Sequence, residues 1–428
     1  MRRRLAVLGF LCAGIVVQAN ESLAQSVNPV LLWNKTLLVI VRTPGAQPAT
    51  IHPTRSFAIM HAAIYDAVNA IDKGHSSYAI ELPEVSRSAS QDGAAATAAH
   101  DVLVTLYPQF QAMLDVELQQ SLASIPEDER KAEGISVGHT VAGRILSLRS
   151  QDGSGAKPIP YVFGDKPGDY QSTPPTFPPQ PQFTHWARVT PFTLARADQF
   201  RPGPPPALAS QRYSRAVNEV QAFGVAGSTA ASADQALTGR FWNGAIQNYW
   251  NEIAQTASLA HGLTTAQNAR LFAQLNLAFA DAVIAFYDAK YTYNFWRPVT
   301  AIRAGSEDTP DTVADPNWLP GVTKTPPDPS YPGAHAAISA AGEVVLHEFF
   351  EKGGFDFAVT SEVLPSVQRS FDSFAAAAKE ATFSRVFAGV HFRFDLTAGR
   401  RLGRNIAHFV LKNFLTPQGR EDDGEAGR

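Results

Sequence analysis

The sequence is nearly devoid of cysteine. Its 428 residues contain one, Cys12, inside an apolar N-terminal run and without the small-residue surroundings of a lipoprotein site. The rest of the chain therefore cannot form disulfides, thiolate metal centres or a cysteine nucleophile, which suits an oxidising compartment or oxidising chemistry. Long hydrophobic runs are also scarce: after Val17 no segment approaches the eighteen or so uncharged apolar residues that read as a membrane span. Neither sign of charge dominates, with 36 Lys and Arg against 39 Asp and Glu and a formal net charge of −3. A nucleic-acid or anionic-membrane partner is not indicated. There is no CxxC pair, HExxH, GxSxG or GxxxxGK[ST], no haem or iron–sulfur ligation pattern, and no convincing strand-like alternation.

What is present begins with a leader. Met1-Arg2-Arg3-Arg4 precedes an apolar run from Leu5 to Val17, too short to span a bilayer comfortably, and Ser22-Leu23-Ala24 supplies small residues for cleavage after Ala24. The pattern predicts export to the periplasm or the extracellular space. With 45% hydrophobic and 18% charged residues, the remainder has a globular composition.

Apolar positions recurring at three and four predict helices over residues 54–70, 89–107, 127–149, 210–222, 232–257, 264–289, 335–351, 361–382 and 391–414. Residues 151–208 are proline-rich but carry Tyr161, Phe163, Trp186 and Phe200, whose apolar surface predicts an ordered crossover packed on the helical body. A second proline-rich connection covers 306–332. The fold class is all-α. The expected organisation is a leader at 1–24, an N-terminal bundle with its crossover at 25–225, a second bundle at 226–415 and a flexible tail at 416–428.

Three stretches carry chemistry. In Ser384-Arg385-x5-His391-x3-Asp395, a guanidinium can grip an oxyanion through its planar fork, and a neutral imidazole can offer a lone pair to phosphorus or a metal. On one helix Asp395 would share a face with His391 and fix its tautomer. Arg385 would lie about 120° away, so a break near Gly389 is expected to turn both side chains into one cavity. Lys290 and Arg297, seven apart in an aromatic segment, would share a face if their helix continued, with Pro298 placing Arg297 at its end. Pro332-Gly333-Ala334-His335 passes straight into an alanine-rich helix, whose first N–H groups can bind an anion beside His335. An earlier Arg55-x5-His61 faintly echoes the last motif, as an internal duplication would.

In this order and spacing, the three stretches resemble the signature of the superfamily of type 2 phosphatidic acid phosphatases and vanadium-dependent haloperoxidases. The first and third motifs match residue for residue. The second departs from the usual Pro-Ser-Gly-His, with Gly333 and Ala334 in place of Ser and Gly. Loss of that hydroxyl should cost about 0.5–1.5 kcal/mol of anion affinity. An exported helical chain without several membrane spans is similar to the haloperoxidase branch.

The resemblance implies two helical bundles with the site in the second. It implies vanadate, or phosphate in the same cage, held by Lys290, Arg297, Arg385 and the backbone of Gly333 and Ala334. His391 would be the vanadium ligand, His335 the acid–base residue and Asp395 the group that orients His391. Hydrogen peroxide and a halide would give hypohalous acid, with the metal's oxidation state unchanged. The same residues admit an acid phosphatase that cleaves a phosphate ester through a phosphohistidine on His391, and also an oxyanion-binding protein without catalysis. Halide preference would turn on nearby groups such as Tyr291, Trp296, Asp328 and Tyr331.

Overall fold

The structure, a computed structural model, describes residues 28–305, 311–350 and 355–418; the expected leader and residues 419–428 of the expected tail lie outside them. Helix α1 (Pro29–Arg42) starts where Asn28 accepts from the Val30 N–H with proline in the first turn. Helix α2 (Thr54–Asp72) and the alanine-rich α3 (Gln91–Leu106) follow, then α4 (Gln111–Ala123) and α5 (Glu129–Arg149). The crossover leads to α6 (Gln211–Phe223), α7 (Ala233–Phe241) and α8 (Ile246–His261). Helix α9 (Thr265–Tyr293) begins with a reciprocal cap between Thr264 and Gln267 and ends at Asn294 in the left-handed region. After it come α10 (Pro298–Ala304), α11 (Ala334–Phe349), a hairpin of β1 (Phe357–Thr360) and β2 (Gln368–Phe371), α12 (Phe374–Phe387) and α13 (Arg393–Asn413).

Helix α9 is the axis of the molecule. It packs against α2 on one side and against α11 and α13 on the other, and one apolar cluster runs from Val30 to Leu415 through it. By length and composition α9 could cross a membrane, but 94% of its most apolar window is buried inside the protein. One of its buried polar residues joins a network across three other helices. Asn276 bonds Asn251 of α8, which accepts from Asn34 of α1, which in turn meets His61 of α2 at 2.8 Å.

That network answers the Arg55–His61 echo. Both residues lie on the unbroken α2, where Arg55 pairs with Asp152 at 2.7 Å and His61 is a core residue. No second oxyanion site forms there. The expected helix over 361–382 is also corrected: β1 and β2 pair antiparallel, Phe357 opposite Phe371, and α12 starts only at Phe374. The helix expected over 232–257 is two, because Glu362 accepts from the Ala245 N–H and from Asn248 and so starts α8 afresh.

Candidate functional site

Helix α12 ends in a Schellman turn. Gly389, at φ +77°, donates to Val386 O and Val390 donates to Arg385 O. This is the expected break, and it carries the chain from Arg385 in the last turn of α12 to His391, two residues before α13. A Cβ at 389 would lie 2.2 Å from Gly224 O, so only glycine fits.

His391 therefore does not share a helix with Asp395, contrary to the sequence expectation, yet the two meet. Asp395 is the third residue of α13 and reaches back to the helix start. Its Oδ2 accepts from the Phe392 N–H at 3.0 Å, from Ser330 Oγ at 2.5 Å and from His391 Nδ1 at 3.0 Å. A proton on Nδ1 leaves Nε2 as an acceptor, which Arg297 Nη1 approaches at 3.1 Å. Burial, and then the charges of Arg297, Lys290 and Arg385, push the His391 imidazole well below its ordinary value, so it is neutral. Burial raises Asp395 to about 7, against its hydrogen bonds.

Lys290 and Arg297 also converge, by a route other than a shared face. Helix α9 stops at Tyr293, and Arg297 stands at the N-cap of α10. Both reach Asp328: Lys290 Nζ lies 3.1 Å and Arg297 Nη2 2.5 Å from Oδ1. The remaining Lys290 donors go to the carbonyls of Pro329 and Ser330, and Arg297 also donates to Asp328 O and Val390 O, each at 2.8 Å. Burial alone would raise the Asp328 carboxyl, but the two cations override it and hold it below its usual range. Burial and the Arg297 charge lower Lys290 to about 8, against the pull of Asp328.

Arg385 differs from both. It is 1% exposed, bonds the neutral Asn243 Oδ1 through Nη2 at 3.1 Å, and leaves Nε and Nη1 buried without partners. Two buried guanidinium donors without acceptors are costly unless a ligand takes them.

Helices α11 and α13 bring their N-termini together. A Cβ at Gly399 would lie 2.3 Å from Gly333 O and one at Gly403 1.9 Å from Ala337 O, so the two helices run side by side in the same direction with backbones touching. Both positive dipole ends thus face the Arg385 and His391 region. Of the two backbone donors expected in the second motif, Gly333 is already committed, donating to Asp395 O at 2.9 Å, whereas Ala334 opens α11. His335, in the first turn, turns Nε2 to Trp242 O at 2.9 Å, and burial followed by the Arg385 charge keeps it neutral.

The crossover closes this region. Gln182 Nε2 reaches Asp328 Oδ2 at 2.9 Å, Tyr291 donates its hydroxyl to Gln182 O, and Tyr170 N donates to Asn294 O. Sequence reasoning missed Ser330, Asn243 and Gln182, which no motif spacing marks. Asp328 was marked only by its nearness to the second motif. A cleft of about 850 Å³ between α2, α9 and α13, lined by Arg270 and Gln274, contains none of the motif residues.

In an all-helical fold, three buried cations, two neutral imidazoles and two converging helix N-termini form a cluster whose chemistry suits an oxyanion, a candidate receptor. A family model for the second helical-bundle domain of vanadium chloroperoxidases matches residues 270–417, which include the three cations, both imidazoles and both helix N-termini. The chain is 25% identical to the vanadium chloroperoxidase of Curvularia inaequalis, with 89% of this chain and 81% of that protein aligned. It superposes on a bacterial vanadium-dependent iodoperoxidase with a TM-score of 0.76 at 27% identity, covering 92% of this chain and 97% of the other. A holo-type bacterial vanadium-dependent chloroperoxidase shares the fold at a TM-score of 0.66 and 16% identity, covering 90% and 96%. These similarities support the vanadium-dependent haloperoxidase branch of the type 2 phosphatidic acid phosphatase and haloperoxidase superfamily as the family that this chain resembles.

Proposed function

We propose that this protein is a vanadate-dependent haloperoxidase that oxidises a halide with hydrogen peroxide to hypohalous acid. The observation that carries the reading is the pair of unpartnered, buried Arg385 donors beside His391, whose Nδ1 is pinned by Asp395. The residues fit vanadate. Arg385, the charges of Lys290 and Arg297 and the Ala334 N–H would hold its oxygens, and His391 Nε2 would be the nitrogen ligand. When bound, vanadate supplies a Lewis acid that activates peroxide toward halide attack without changing its own oxidation state.

The protein's own contributions follow from its geometry. Asp395 and Ser330 fix the imidazole ring and keep the Nε2 lone pair free of a proton, and Val390 O and Asp328 hold Arg297 beside it. His335, neutral and poised in the first turn of α11, can take a proton from an arriving peroxide and return it to the leaving oxygen. Burial of the cluster excludes bulk water and strengthens each of these interactions.

The test is halide-dependent peroxidation by purified protein loaded with orthovanadate, run beside hydrolysis of a generic phosphomonoester. Activity with at least one halide, lost in His391→Ala, supports the reading. Phosphatase activity alone, lost in the same variant, overturns it in favour of a phosphohistidine enzyme. We also propose export, on the leader pattern of residues 1–24. Its check is N-terminal sequencing of the protein recovered from the periplasmic and culture fractions, where a start at Gln25 is expected.

A further inference from the structure

Two of the three cations in the receptor are already answered by one carboxylate. Asp328 is 4% exposed, and each of its oxygens is occupied: Oδ1 by Lys290 and Arg297, Oδ2 by Gln182 Nε2 at 2.9 Å and the Tyr287 hydroxyl at 3.4 Å. It is tied to the second motif through its own loop, since Pro329 and Ser330 carbonyls take the other Lys290 donors. Lys290 therefore has no unshared hydrogen to offer an incoming oxyanion, and of the three cations Arg385 is the one with buried nitrogens that have no partner.

We propose that Asp328 is an internal counter-anion of the receptor, a specificity-determining residue that weakens oxyanion binding and selects monoanions over dianions. The argument rests on the reading that Lys290, Arg297 and Arg385 together hold an oxyanion. The fixed carboxylate cancels one of three positive charges at contact distance, in a site too dry for water to screen it. Its repulsion acts on every anion that enters and doubles when the entering charge doubles. Because that energy enters the binding constant exponentially, the penalty on a dianion is the square of the penalty on a monoanion. Gln182 and Tyr287 hold the carboxylate from the side opposite the cations, so it is not free to swing away and vacate its place.

The experiment uses two tetrahedral anions of fixed charge, perrhenate for the monoanion and sulfate for the dianion, titrated calorimetrically into the full-length protein and into Asp328→Asn. Asparagine keeps the shape and one acceptor while removing the charge. The variant is expected to bind perrhenate roughly tenfold and sulfate roughly a hundredfold more tightly than the parent. Equal gains for the two anions, no gain, or a loss overturn the proposal, as does the absence of binding to both proteins. Gln182→Ala, which loosens the same carboxylate but leaves its charge, is expected to change sulfate affinity less than about threefold. A gain as large as that of Asp328→Asn would overturn the proposal by showing that loosening of the loop is the cause. Thermal melts confirm that both variants are folded. No vanadate or peroxide enters these titrations. Failure of the haloperoxidase reading appears in the activity assay instead, and an active parent with unchanged anion binding in Asp328→Asn defeats this inference alone.

Discussion

His391 and Asp395 meet at 3.0 Å across the start of α13, one residue lying outside the helix and the other at its third position. The bond orients the ring because Asp395 is itself held by the Phe392 N–H and Ser330 Oγ. In Asp395→Asn a carboxamide oxygen can take the place of Oδ2 and still meet the three donors, but without the negative charge that strengthens each bond. Orthovanadate affinity, measured by titration of metal-free protein, is expected to fall about 10- to 100-fold with the fold intact.

The turn that separates Arg385 from His391 gives a second prediction. Gly389→Ala places a Cβ 2.2 Å from Gly224 O on a backbone with φ +77°. The left-handed conformation alone costs about 1–2 kcal/mol, and the clash adds to it. The melting temperature should drop by several degrees, and sulfate binding should fall with it, since the turn sets both side chains.

Gly333 and Ala334 can be returned to the family pattern. A Cβ at 333 would lie 3.1 Å from Leu396 Cδ2, the end of a flexible side chain, and 3.4 Å from Asp395 O. The double variant Gly333→Ser with Ala334→Gly is therefore expected to fold, with Leu396 giving by a few tenths of an ångström. One added neutral hydrogen bond should raise phosphate affinity by a factor of about 2–10, read by calorimetry.

Lys290 supplies the pH dependence. Burial, then repulsion from Arg297, lowers it from 10.5 to about 8, so above that pH the receptor loses a positive charge. Sulfate, whose own charge is constant in this range, should bind progressively less tightly as pH rises from 7 through 8 to 9. Lys290→Arg should flatten that fall. The folded state binds fewer protons than the unfolded chain between about 8 and 10.5, so the same group makes stability rise with pH across that window. Chemical denaturation at pH 8 and pH 10 checks the sign.

The receptor was legible in the sequence to the extent that its parts are local. Arg385, Gly389, His391 and Asp395 lie within eleven positions of chain, and the glycine announces the turn that joins them. The chain does not announce that Lys290 and Arg297 meet on Asp328, because that contact depends on a loop almost forty residues away. Ser330, Asn243 and Gln182 were invisible for the same reason. Their residue types are common, and they lie on three separate connections that only the fold brings to the site. The hairpin of β1 and β2 escaped because each strand is four residues long and pairs only with the other, leaving no run long enough for alternation to register. The restart at α8 escaped because its cap comes from Glu362, more than a hundred residues away.

Helices α11 and α13 touch where Gly399 and Gly403 lie against the carbonyls of Gly333 and Ala337. The width of the receptor is thus set partly by hydrogen atoms one to two turns beyond it. The second and third motifs behave as one jaw, and a methyl group at position 403 would prise that jaw open by pressing on the Ala337 backbone, without touching any motif residue.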